Sequence, residues 1–180
     1  MRRLLLILAA AFLFSPLFSA PESTDPDFSG AWVLDKDRSF SNPAGLEQTL
    51  TIFHGGDALK LEAKLKTAAQ GEQLVDEAWT LDGQEREYVP GGSAPGTKAK
   101  GKAYWLAGRR AIVIDDERTT PGQKGPVTQH TTRKLALSPD GTTLTVDYYF
   151  DTPRGQFESK RVFVRRAGAV PDAPGAHSSA

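Results

Sequence analysis

Three histidines, His54, His130 and His177, are the only imidazoles in the 180-residue chain, and there is no cysteine. Their spacing does not converge on a metal, and the missing thiols exclude Cys-ligated zinc, iron–sulfur clusters, disulfides and a lipidated N-terminal cysteine. His54 and His130 read as surface or strand-end residues, and His177 falls in a terminal run. Neither a Gly-x-Ser-x-Gly elbow nor a grouping of nucleophile, base and orienting acid is recognisable, so the sequence calls for no catalysis, metal or cofactor. Asp115-Asp116-Glu117 is a dense carboxylate run, but successive strand residues point to opposite faces and cannot share one cation. It is expected to be a solvated approach to a turn. Residues 91–102, GGSAPGTKAKGK, superficially match a phosphate loop, yet Thr97-Lys98 reverses the required order and no strand-to-helix context follows. With Arg109 and Arg110 this segment forms a basic patch beside Tyr104 and Trp105. Twenty-two basic against 22 acidic side chains give no electrostatic footprint for nucleic acid. The patch is therefore read as a solvated loop with its lysines outward.

The strongest chemical signal is charge on faces that ought to be dry. Glu77 shares an alternating face with Val75, Trp79 and Leu81; Arg133 and Gln129 share one with Leu135 and Leu137; Arg161 shares one with Phe163. Buried charges need partners or water. One reading is a solvated lumen in which Arg133, Arg161 and Tyr148 hold the acidic head of an amphiphile while Trp79, Tyr104 and Leu144 contact its apolar part. Glu77, Trp79, Tyr104, Arg133, Tyr148 and Arg161 are then the candidate ligand-binding residues. A second reading is an internal ion pair of Glu77 with an Arg, present for structure. A third is that bulges invert the parity and the charges face outward.

The elements that must position these groups are strands. Leu59, Leu61, Ala63 and Leu65 alternate with Lys60, Glu62, Lys64 and Lys66, and Leu144, Val146, Tyr148 and Phe150 alternate with Thr143, Thr145, Asp147 and Tyr149. Turn signals such as Asp82-Gly83 and Pro139-Asp140-Gly141 separate the runs. The pattern predicts strands at 28–34, 46–54, 58–67, 73–81, 84–89, 98–106, 110–118, 126–137, 142–151 and 156–166, with no long helix. Short connections imply antiparallel neighbours, hence an all-β up-and-down meander closing into a barrel or folding as a two-sheet clamshell.

The opening Phe28-Ser29-Gly30-Ala31-Trp32 resembles the Gly-x-Trp element in the first strand of the lipocalin and wider calycin group. The resemblance implies that Trp32 closes the barrel floor, with Gly30 beside it and Arg165 or Arg166 of the last strand packed across it. Together with the Asp-Gly-x-Thr-Leu-x-Val hairpin at residues 140–146, it is similar to small exported bacterial proteins of unassigned function with lipocalin-like barrels. Ten strands, however, resemble the fatty-acid-binding branch, although residues 35–45 are too few for that branch's two-helix lid.

The chain ends complete the expectation. Arg2 and Arg3 precede an apolar run at residues 4–14, the layout of a signal peptide over residues 1–20, and the run is shorter than the about 20 residues of a spanning helix. Its removal leaves 20 basic groups against 22 acidic ones, with no stable membrane insertion. Residues 21–27 read as a linker, 28–166 as the folded domain and 167–180 as a disordered tail. The expected protein is a secreted or periplasmic lipocalin-like or fatty-acid-binding-protein-like barrel that binds a small apolar or amphiphilic molecule. The alternative is a structural or protein-interaction barrel with a filled interior.

Overall fold

Alternating apolar and polar residues between glycine-containing turns produce ten strands in the computed structural model, which describes residues 25–91 and 93–167. They are β1 (Gly30–Phe40), β2 (Glu47–Gly55), β3 (Ala58–Thr67), β4 (Gly71–Thr80), β5 (Arg86–Tyr88), β6 (Lys98–Trp105), β7 (Ala111–Thr120), β8 (Val127–Leu137), β9 (Thr143–Thr152) and β10 (Gly155–Arg165). The expected signal segment, nearly all of the tail and His177 lie outside the described residues. All ten strands belong to one antiparallel sheet ordered β4-β3-β2-β1-β10-β9-β8-β7-β6-β5. The chain is an all-β meander whose first and last strands pair with each other.

The sheet curls until β4 approaches β6. A single bridge, Asp82 with Tyr104, joins the two margins by backbone, and side chains fill the rest of the seam. Trp79 lies so close over Gly101 that a Cβ there would stand 2.9 Å from its ring. The Trp79 and Tyr88 rings meet edge to face at 5.2 Å. Small inward residues on β6, Ala99, Gly101 and Ala103, are thus a consequence of the indole above them.

One end of the barrel is a packed apolar floor. Phe28, Trp32, Ile52, Leu59, Ile112, Leu135, Leu144 and Phe163 are fully buried there. Trp32 donates from Nε1 to the carbonyl of Phe28 at 3.2 Å. The Arg165 guanidinium lies 4.3 Å from the Trp32 ring centroid, a contact of the cation–π type. Arg165 also donates to the carbonyls of Gly141, Ser29 and Asp27, while the neighbouring Arg166 side chain is exposed. Of the two arginines left open by the sequence, Arg165 is the one against the indole. Gly30 makes room for it: φ is +138°, and a Cβ would lie 2.6 Å from Arg165 Nη1. Gly30→Ala is therefore expected to cost about 1–3 kcal/mol through backbone strain and displacement of the guanidinium, measured as a shift in the urea midpoint. An unchanged midpoint would show that the arginine seat contributes nothing.

Two expectations need correction at this floor. His54 is a strand-end residue of β2 but not a surface one: its side chain is 8% exposed, and its ring packs edge-on against Phe28 and Trp105. It was hidden by its place at the end of an alternating run, where parity alone does not reveal that the N-terminal segment folds over it. That segment includes the last residues of the expected linker. Asp25 pairs with Arg109 at 2.6 Å, and Asp27 sits 3.7 Å from His54. His130, by contrast, has a largely exposed side chain beside Glu117.

β1 also runs six residues past its expected end at Leu34. The polar stretch Asp35-Lys36-Asp37-Arg38-Ser39 masks the alternation, while a bulge between Asp35 and Phe40 restores pairing with β10. Ser39 Oγ bridges the bulge, donating to the Asp35 carbonyl and accepting from the Val162 amide. A turn through Asn42, rather than a helical pair, then leads into β2.

Candidate functional site

Beyond the apolar floor the interior opens into a cavity of about 300 Å³. Leu50, Leu61, Leu65, Val75, Val146 and Phe150 supply apolar wall; Gln48, Glu77, Asp116, Arg118, Arg133, Tyr148 and Arg161 supply polar wall. The volume lies at the lower limit of ordinary ligand sites. Three guanidinium groups face two carboxylates.

The polar wall divides into two groups. In the first, Arg133 and Glu77 form an ion pair at 2.6 Å with side chains only 12% and 8% exposed. Trp79 Nε1 donates to Glu77 at 3.2 Å, and Arg118 bridges Glu77 at 3.4 Å and Asp116 at 2.9 Å. Tyr88 donates its hydroxyl to Asp116 at 2.8 Å. Burial resists ionisation of Glu77, but Arg133 beside it overcomes that cost and holds the carboxyl below its usual range. Burial next to the Asp116 carboxylate pushes the Tyr88 phenol well above its ordinary value, so it stays a donor. This network spans the β4–β6 seam, where backbone pairing among the described residues is confined to the Asp82–Tyr104 bridge.

The second group surrounds Arg161. Its Nε donates to Asn42 Oδ1 at 3.1 Å and its Nη1 donates to Gln48 Oε1 at 2.9 Å and the Tyr148 hydroxyl at 3.4 Å. The guanidinium stacks 4.4 Å from the Tyr148 ring centroid. All of these partners are neutral, and among the described residues Arg161 has no carboxylate within salt-bridge distance. The Tyr148 ring stacks on Phe150 at 5.7 Å, and Phe150 on the half-exposed Phe157 at 4.7 Å. An aromatic track thus runs from Arg161 to the outer surface.

The structure brings Glu77, Arg133, Tyr148 and Arg161 into the cavity wall. Trp79 faces inward but seals the seam, and Leu144 is buried in the floor beneath. Tyr104 does not belong to the site. Its hydroxyl donates to Asp115 at 3.1 Å and Lys102 lies over its ring, because the inward places on β6 belong to the small residues under Trp79. The internal ion pair of Glu77 with an arginine is present: its partner is Arg133, with Arg118 beside it, and not Arg161. The carboxylate run is not a turn approach either. It lies within β7, with Asp116 only 5% exposed and Asp115 accepting from Tyr104 and Thr132.

Arg118 escaped notice and Asp116 was read only as part of the carboxylate run, although both continue the inward alternation of Ile112 and Ile114. Gln48 likewise continues the inward alternation of Leu50 and Ile52, whereas Asn42 carried no such signal. Asn42 sits in a turn more than a hundred positions from Arg161, and Gln48 is an isolated buried amide at the start of β2.

No family model matches the chain, and no curated protein matches it. Among solved structures, it is similar to the zebrafish ileal bile acid-binding protein complexed with cholic acid, at 14% identity and a TM-score of 0.47, over 77% of this chain and 98% of that one.

Proposed function

We propose that the protein is an exported binding protein that holds a small acidic amphiphile in its barrel, the acid on Arg161 and the apolar part along Leu50, Leu61, Val146 and Phe150. The observation that carries this reading is the state of Arg161. It is a cavity-lining guanidinium oriented by Asn42, Gln48 and Tyr148, none of which neutralises it. A carboxylate entering the cavity would complete the charge balance with a charge-assisted contact to the uncommitted Nη2. The open volume favours this over a filled structural barrel, and the apolar lining fits a hydrocarbon of medium length.

Arg161→Met tests the reading. Binding of dodecanoate, followed by calorimetry, is expected to weaken by roughly 30-fold or more, a loss of at least about 2 kcal/mol. Loss of an unneutralised guanidinium and loss of its hydrogen bond to the buried Gln48 oppose each other, so the fold should persist with only a small shift of the thermal midpoint. Equal binding of dodecanoate by both proteins, or of dodecan-1-ol and dodecanoate by the native protein, would overturn the proposal. Export is tested by the mass of the protein recovered outside the cytoplasm of its own host, expected to lack about the first 20 residues. Native mass spectrometry of that material should show a co-purifying acid.

A further inference from the structure

Two buried groups in the cavity wall are left with hydrogen-bonding capacity that the protein itself does not use. Arg133 commits Nη1 to Glu77, but its Nε and Nη2 have no partner in the chain. Asp116 receives Tyr88 and both Nε and Nη2 of Arg118 on Oδ2, and its Oδ1 has no partner. The Asp116 side chain is 2% exposed, and leaving charged groups half-satisfied at such depth is costly. One side of this pair offers protons and the other asks for one. A carboxylate could accept from Arg133 but has nothing to donate to Asp116, and an alkyl chain could do neither. A hydroxyl group does both.

We infer that the cavity selects acidic amphiphiles carrying a hydroxyl group away from the acid, with the acid on Arg161 and the hydroxyl between Arg133 and Asp116. The inference rests on the acidic-ligand reading above and adds a second polar subsite to it. Its spacing follows from the sheet: Arg133 pairs with Tyr148 across β8 and β9, Arg161 with Val146 across β9 and β10, and Asp116 with Thr131 across β7 and β8. Arg161 is thus two strands and two residues from Arg133, roughly 12 Å between backbone positions, and three strands and four residues from Asp116, roughly 20 Å, at about 4.8 Å per strand and about 3.4 Å per residue. Curvature draws the side-chain tips closer than that, so a hydroxyl near the middle of a medium-length chain is suitably placed.

The test uses the unaltered protein and a set of matched probes in calorimetry: dodecanoic acid, its mid-chain hydroxy and oxo derivatives, and dodecan-1-ol. The hydroxy acid is expected to bind about tenfold more tightly than dodecanoic acid, as hydrogen bonds to charged groups allow. The oxo acid, which accepts from Arg133 but cannot donate to Asp116, should bind more weakly than the hydroxy acid. If dodecanoic acid binds and the hydroxy acid binds no better, the polar subsite is overturned and a water satisfies these atoms, while the acidic-ligand reading stands. If none of the acids binds, or the alcohol binds as well as they do, both are overturned.

Discussion

Trp32→Ala should lower the free energy of unfolding by about 3–5 kcal/mol, the range for removal of a large buried aromatic. The side chain is wholly buried, its indole nitrogen is tied to the Phe28 carbonyl, and its face carries Arg165. Truncation leaves a cavity in the floor and deprives the guanidinium of its platform. The β1–β10 junction is also where the first and last strands of the chain pair, with Trp32 directly opposite Arg165 in the register. Urea denaturation followed by far-ultraviolet circular dichroism measures the loss. A change below about 1 kcal/mol, typical of an exposed site, would mean that the floor does not hold the barrel shut.

Glu77→Gln should cost a similar amount, about 3–5 kcal/mol, because it removes the carboxylate that neutralises a deeply buried guanidinium. Arg133 has Glu77 as its ion-pair partner, and Arg118 is already engaged by Asp116. The double change Glu77→Leu with Arg133→Met should recover most of the loss, since two apolar side chains leave no stranded charge. The pH dependence has a definite sign. The Glu77 carboxyl is held below its ordinary value in the folded chain, so its contribution is complete above the unfolded carboxylate range, about 4.3. It is withdrawn as the pH falls through and below that range. The native protein should therefore lose stability more steeply in acid than the double variant. Parallel acid limbs would show that the pair does not act as an ion pair.

Much of the fold was legible because alternation depends only on local pattern. The boundaries of β3 match the expected residues, and most other ends fall within one or two positions. β1 was cut short because a run of charged residues followed by a bulge carries no period. Legibility of the site followed the same rule. Glu77, Arg133, Tyr148 and Arg161 sit on faces that their apolar neighbours define, so parity alone turned them inward. Parity could not tell which carboxylate meets which guanidinium, since that depends on the curl of the sheet and not on any one strand. Tyr104 was misplaced because the inward face of β6 carries only Ala99, Gly101 and Ala103 beneath Trp79, small residues that do not mark a core face. Asn42 reaches Arg161 only because the β1–β2 turn folds over the middle of β10, a long-range event with no local trace.

The most direct measurement is the titration of carboxyl-labelled dodecanoate bound to the native protein, followed by carbon-13 NMR. With its acid on Arg161, the bound carboxyl should give a resonance distinct from free ligand and should titrate at least about one unit below the free acid, as expected for a carboxylate against a guanidinium. Arg161→Met should abolish that bound resonance or return its titration to the free value. A bound carboxyl that titrates like free dodecanoate in the native protein, or identically in both proteins, would contradict lumenal capture through Arg161.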